Sequence, residues 1–117
     1  MGTTENVQLV RRFYEEAINQ RDTSACARLL TDDFVHNNQF RGREGQQAAV
    51  EAFLAGFPDL EVQVQMTVAE DDKVAAHQRW RGTHEGEFMG VAASGNEVEF
   101  TSTAILLVHR DLIAQAW

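Results

Sequence analysis

The chain has 117 residues, 44% of them hydrophobic and 24% charged, which leaves room for one domain built on one core. Acidic residues outnumber basic ones 18 to 10, for a formal charge of −8; a duplex demands clustered Lys and Arg to displace its counterions, so nucleic acid is not expected as a partner. No apolar run approaches the ~18 residues of a membrane span, and residues 1–6 lack the basic patch and apolar stretch of a secretory signal, so a cytoplasmic location is expected.

Residues 4–20 carry Val7, Val10, Tyr14, Ala17 and Ile18 at helical spacing, with Leu9 and Phe13 widening the stripe. Asp22, Thr23 or Ser24 can cap a short second helix that turns Cys26, Leu29 and Leu30 inward. Cys26 is the single cysteine; it has no bridging partner in the chain and reads as a buried, inert thiol. Residues 33–38 read as a brief strand running into a polar loop. Residues 44–56 read as a third helix with Ala49, Val50, Phe53, Leu54 and Phe57 on one face, ended by Pro58.

From Leu60 the period changes to two. Leu60, Val62, Val64, Met66 and Val68 alternate with Glu61, Gln63, Gln65 and Thr67, the mark of a strand wet on one side. Residues 74–83, 97–108 and 112–117 read as three further strands. Helices first and a strand meander after predict an α+β fold, with an antiparallel sheet covered on one face by the helices.

Four histidines are present, but His36, His77, His84 and His109 show no metal-ligand spacing, so no metal is expected. No glycine-rich phosphate loop or nucleophile elbow occurs either, and no cofactor is expected. His36, after Phe34 and Val35, stands where a histidine can titrate near neutrality and act as acid or base; a surface or hydrogen-bonded loop histidine is the alternative. Tyr14 and Trp80 read either as core or as the lining of a cavity, and Phe53, Phe57, Met66 and Met89 read first as core.

The run Gly82-Thr83-His84-Glu85-Gly86-Glu87-Phe88-Met89-Gly90-Val91 resembles the Gly-Thr-His-x-Gly-x-Phe-x-Gly segment of the SnoaL-like polyketide cyclase family. Leu9 to Tyr14, Asp33 to His36, Gly42-x-x-Gly45 with Phe53 and Phe57-Pro58-Asp59, and Arg110-Asp111 follow in that family's order. The resemblance implies a nuclear-transport-factor-2-like α+β roll, in which a cone-shaped, curved antiparallel sheet is packed by N-terminal helices. It also implies a homodimer, joined here through the outer strand faces of Gln63, Gln65 and Thr67. Residues 1–117 then form one SnoaL-like domain, short at the C-terminal end.

Cyclases of the family close a ring by an intramolecular aldol step, without metal or cofactor, using an aspartate on the last strand. Carried onto this chain, that aspartate falls immediately after Trp117. The Gln and His of the preceding strand fall on Thr103 and Ile105. The function expected is binding of a small hydrophobic molecule, with cofactor-free acid/base chemistry on a carbonyl compound and His36 as proton carrier. A non-catalytic binding protein or a dimerisation module is the alternative. The expected pocket is lined by Tyr14, Phe34, Phe53, Phe57, Trp80, His84, Met89 and Trp117.

Overall fold

Helical period governs the N-terminal part of the computed structural model, which describes residues 2–117; Met1 lies outside the described residues. Helix α1 (Thr3–Tyr14) buries Val10, Phe13 and Tyr14 on one face, with Glu5 in its first turn and Arg11 and Arg12 in its last, as the helix dipole favours. The expected helix then widens into a π-helical turn over Glu15–Asn19, where the Gln20 N–H donates to the Glu15 carbonyl. Helix α2 (Ala25–Leu29) buries Cys26, and burial pushes that thiol up to about 11. It is therefore un-ionised at neutral pH and unreactive.

Strand β1 (Leu30–His36) turns into β2 (Gln39–Phe40) through Asn37 and Asn38, both with positive φ, 50° and 65°. The polar loop expected here is a two-residue hairpin, and asparagine tolerates its left-handed backbone. Helix α3 (Gly42–Gly56) begins two residues earlier than its apolar pattern indicates and buries Val50. The meander follows as β3 (Glu61–Glu70), β4 (Lys73–Thr83), β5 (Glu97–His109) and β6 (Leu112–Ala116).

The six strands form one curved, unclosed sheet in the order β2-β1-β6-β5-β4-β3. All pairs are antiparallel except β1 with β6, a correction to the antiparallel sheet expected from the meander. The cause is topological: α3 separates β1 from the meander, and the last strand closes back beside β1 in the same direction. The helices cover the concave face, and the core gathers there around Phe13, Phe34, Leu60, Trp80, Leu106 and Ile113.

Two details correct the strand reading. A bulge interrupts β3 between Val64 and Met66, so the side-chain phase slips by one residue. Val62 is 5% exposed as expected, but Met66 and Val68 are 59% and 66% exposed on the outer face, while Ala69 packs against the core. Thr67 accordingly leaves the outer face to which it was assigned. The second detail is how the β3 edge is closed. Asn19 Nδ2 donates to the Val62 carbonyl at 2.9 Å, and the Val62 N–H donates to Asn19 Oδ1 at 2.8 Å. The side chain supplies what a further strand would, on an edge otherwise open to pairing.

Candidate functional site

Between the concave face of the sheet and helices α1 and α3 lies a cavity of about 320 Å³. Most of its wall is apolar: Phe13, Ile18, Phe34, Val50, Phe53 and Leu106 are among its lining residues. Aromatic geometry stiffens this wall. Phe53 stacks on Trp80 with ring centroids 5.7 Å apart, and Tyr14 meets Trp80 edge-on at 6.1 Å.

The polar groups fall in two places. On β4 and β5, Trp80 Nε1 donates to Ser102 Oγ at 3.0 Å and to Gln78 Oε1 at 3.3 Å, and Ser102 Oγ donates to Gln78 Oε1 at 3.0 Å. Gln78 is 1% exposed, and its Nε2 has no hydrogen-bond partner. Burial raises the pKa of the Tyr14 hydroxyl nearby, and the Gln78 amide offsets part of that rise without a bond of good geometry joining the two. Tyr14 is thus a protonated donor at neutral pH.

The second polar place is the β1–α3 side, where His36, Arg41, Gln46 and Trp117 line the cavity. Arg41 Nη1 donates to Gln46 Oε1 at 2.7 Å, and Trp117 Nε1 donates to Asn38 Oδ1 at 3.1 Å. Burial, and secondarily the Arg41 charge, hold His36 below its ordinary pKa of 6.5. The imidazole is therefore neutral at pH 7, the form that can accept a proton.

Of the residues expected to line a pocket, Tyr14, Phe34, Phe53, Trp80 and Trp117 meet at this cavity, together with His36, the expected proton carrier. Phe57, His84 and Met89 do not. Phe57 is core and stacks on His84 at 5.3 Å, and His84 Nδ1 lies 3.1 Å from Ser94 Oγ. Both belong to the packing that joins α3 to the segment after β4. Met89 is 86% exposed at a turn, so it is neither core nor lining. It precedes Gly90 in a tight turn with positive φ at both residues, which throws its side chain into solvent.

The positions matched to the family's polar strand residues also miss. Thr103 adds to the cavity wall, but its hydroxyl turns to His77 Nδ1 at 2.9 Å, and Ile105 is 44% exposed on the outer face. Ser102 and Ala104 are the inward residues of that stretch.

Gln78, Ser102, Arg41 and Gln46 were not expected at the site. For Gln78 a signal existed: it stands in phase with Val74, Ala76 and Trp80, a polar residue at an inward strand position. Among the described residues that line the cavity, none is Asp or Glu. A wider, open cleft of about 720 Å³ runs along the β3 edge. Two of its arginines are already matched by acids, Arg79 by Glu99 and Arg81 by Glu61, and most of its lining side chains are polar or charged.

Comparison with known proteins agrees with this architecture. The sequence profile of the SnoaL-like polyketide cyclases matches residues 8–117. TsrD from Streptomyces laurentii superposes with a TM-score of 0.90 at 28% identity, over 100% of this chain and 88% of that one. A candidate SnoaL-like polyketide cyclase from Jannaschia sp. CCS1 gives 0.88 at 28% identity, over 97% and 83%. IdmH, a candidate polyketide cyclase from Streptomyces antibioticus, gives 0.83 at 30% identity, over 96% and 88%. A comparison with the curated proteins gives no match. With a profile match over almost its whole length, and the curved sheet and covering helices shared with these structures, the chain belongs to the SnoaL-like polyketide cyclase family.

Proposed function

We propose that this protein binds a small, flat, hydrophobic carbonyl compound in the cavity between sheet and helices, and that His36 moves protons there without a cofactor. One observation carries the reading: in a largely apolar cavity, His36 is the lining side chain whose type titrates near neutrality, and its surroundings keep it neutral. A neutral imidazole beside a desolvated ketone is arranged to remove a proton next to the carbonyl.

The matching experiment follows exchange of the α-protons of 2-tetralone in deuterated water by NMR. Acceleration of about 10²–10⁴-fold is expected. It should fall as pH drops through a midpoint below 6.5, because His36 is then protonated and no longer a base. His36→Gln should abolish it without releasing the ligand. Tight binding with no acceleration in the parent protein overturns the catalytic part. The second reading, a non-catalytic binding protein, would then hold, and the carboxylate-free lining favours it.

The same proposal includes a homodimer. The bulge in β3 places Met66 and Val68 on the outer face, and strand pairing aligns Val68, Ala75 and Ile105 in one row across β3, β4 and β5. Such a face suits sheet-to-sheet packing that buries about 1,500 Å² in total. Light scattering at micromolar concentration should give twice the 13.1 kDa chain mass. The double variant Met66→Lys/Ile105→Lys should give the chain mass alone, whereas a monomeric parent refutes the dimer.

A further inference from the structure

Resting on the sheet-to-sheet homodimer proposed above, we infer that His77 is a pH switch in that interface: the dimer holds while the imidazole is neutral and loosens when it is protonated. The warrant is the pattern of rows across the outer face of β3, β4 and β5, the face opposite the buried Val74, Ala76, Gln78 and Trp80. Strand pairing sets Glu61, Arg81 and Glu99 in one row, and Gln63, Arg79 and Thr101 in the next. Met66, His77 and Thr103 follow, then Val68, Ala75 and Ile105, and last Glu70, Lys73 and Leu107. Charge gathers towards the two ends. The middle holds the exposed apolar side chains Met66, Val68 and Ile105. A two-fold contact centred on the Met66 and Val68 rows buries apolar surface at its core and keeps the ions on its rim. Within those two rows, His77 is the titratable residue.

The surroundings of His77 set the sign of the switch. Its outer-face neighbours along β4 are Ala75 and Arg79. From β3 it meets Met66, with Gln63 and Val68 in the adjoining rows, and from β5 it meets Thr103, with Thr101 and Ile105 in the adjoining rows. Its Nδ1 lies 2.9 Å from Thr103 Oγ1. The charge nearest in this register is therefore a cation, Arg79, whose guanidinium already holds the Glu99 carboxylate. Glu61 stands one row farther off and pairs with Arg81. The helices cover the concave face, so the remaining neighbours of His77 come from the same rows of the second copy. Histidine is the side-chain type whose charge changes between pH 5 and 8. A charge formed here is enclosed by apolar side chains, Arg79 and the second copy's imidazole, with no carboxylate in its own or the adjoining rows. In the separated chain, water solvates it. The monomer thus binds protons more readily than the dimer, and linkage requires dimer affinity to fall as pH falls.

Sedimentation velocity over a dilution series measures the effect. With two imidazoles per dimer, each contributing about tenfold, the dimer Kd should rise about 100-fold between about pH 8 and about pH 5.5. His77→Gln should give a Kd that no longer changes with pH. His77→Lys, which fixes a charge at the same place, should be as weak at the higher pH as the parent protein is at the lower. His109→Gln, at the exposed end of β5, should leave the response as it is. A parent dimer with one Kd at both pH values overturns the switch and leaves the dimer standing. A monomer at every pH overturns both. A response that persists in His77→Gln belongs to another group and removes His77 from the role. Should one His77 variant fail to fold, the other still decides.

Discussion

Phe34→Ala is expected to lower the unfolding free energy by about 3–5 kcal/mol, because the ring is packed core as well as cavity wall. Phe34 is 2% exposed on β1, the strand that α3 covers and that pairs with β6. Its truncation removes transfer free energy and also leaves a void that joins the existing space of about 320 Å³. The strand cannot collapse inward, since its backbone is tied to β6 on one side and β2 on the other. Against a total stability of about 5–15 kcal/mol for a domain, this loss is a large fraction and brings some chains close to unfolding at 37 °C. Urea denaturation followed by tryptophan fluorescence measures it. Phe40→Ala is the control: that ring is 75% exposed and its loss should stay within about 0.5 kcal/mol. A Phe34→Ala loss below about 1 kcal/mol would show that the ring moves freely in the cavity and supports nothing.

Gly86→Ala should cost about 3 kcal/mol, although it adds only one methyl group to a loop. A Cβ at Gly86 would stand 2.2 Å from the Ala55 carbonyl oxygen and 3.1 Å from its carbon, both backbone atoms that cannot swing aside. The segment approaches this closely because the N–H groups of Glu85 and Gly86 donate to the Gly56 carbonyl, at 3.0 and 3.1 Å, at the C-terminal end of α3. Beyond that clamp, Phe88 packs against Phe53 at 5.2 Å and Phe57 at 5.4 Å, and so supports one wall of the cavity. A methyl group forces the segment off α3, and both hydrogen bonds and the Phe88 contacts go with it. Gly90→Ala separates this from plain backbone strain. Gly90 has φ +79° but nothing within 4 Å of a Cβ, so its cost should be about 1 kcal/mol. If Gly86→Ala matches Gly90→Ala in denaturant midpoint and in protease resistance of residues 85–95, the clamp has no energetic weight.

The Gly82-Thr83-His84-Glu85-Gly86 run thus takes a structural meaning. It resembled a family signature, and its histidine was assigned to the pocket on that resemblance. In the fold, Gly86 permits a backbone approach, His84 packs on Phe57, and Thr83 bonds Asp59 through both its N–H and its hydroxyl. These residues join the end of α3 to the end of β4. They shape the cavity from behind and do not enter it.

Periodicity in the sequence was enough to determine three helical segments, the long strands of the meander, and the α+β class. The reason is physical: one buried face per element leaves a period of 3.6 or of two that can be read without neighbours. It also put Tyr14 and Phe53 on apolar helix stripes, and these meet Phe34 and Trp80 at the cavity. Tertiary structure decided what one strand's own pattern cannot carry. The bulge at Gln65 depends on how β3 pairs with β4, and it alone sends Met66 and Val68 outward. The parallel pairing of β1 with β6 depends on a return after some eighty residues of intervening chain. Arg41 and Gln78 lie far apart in sequence, and only the closing of helices over the sheet places both around one cavity. Burial of a strand position is a local property and shows as a period; which donor is left without a partner is settled only when every neighbour is in place.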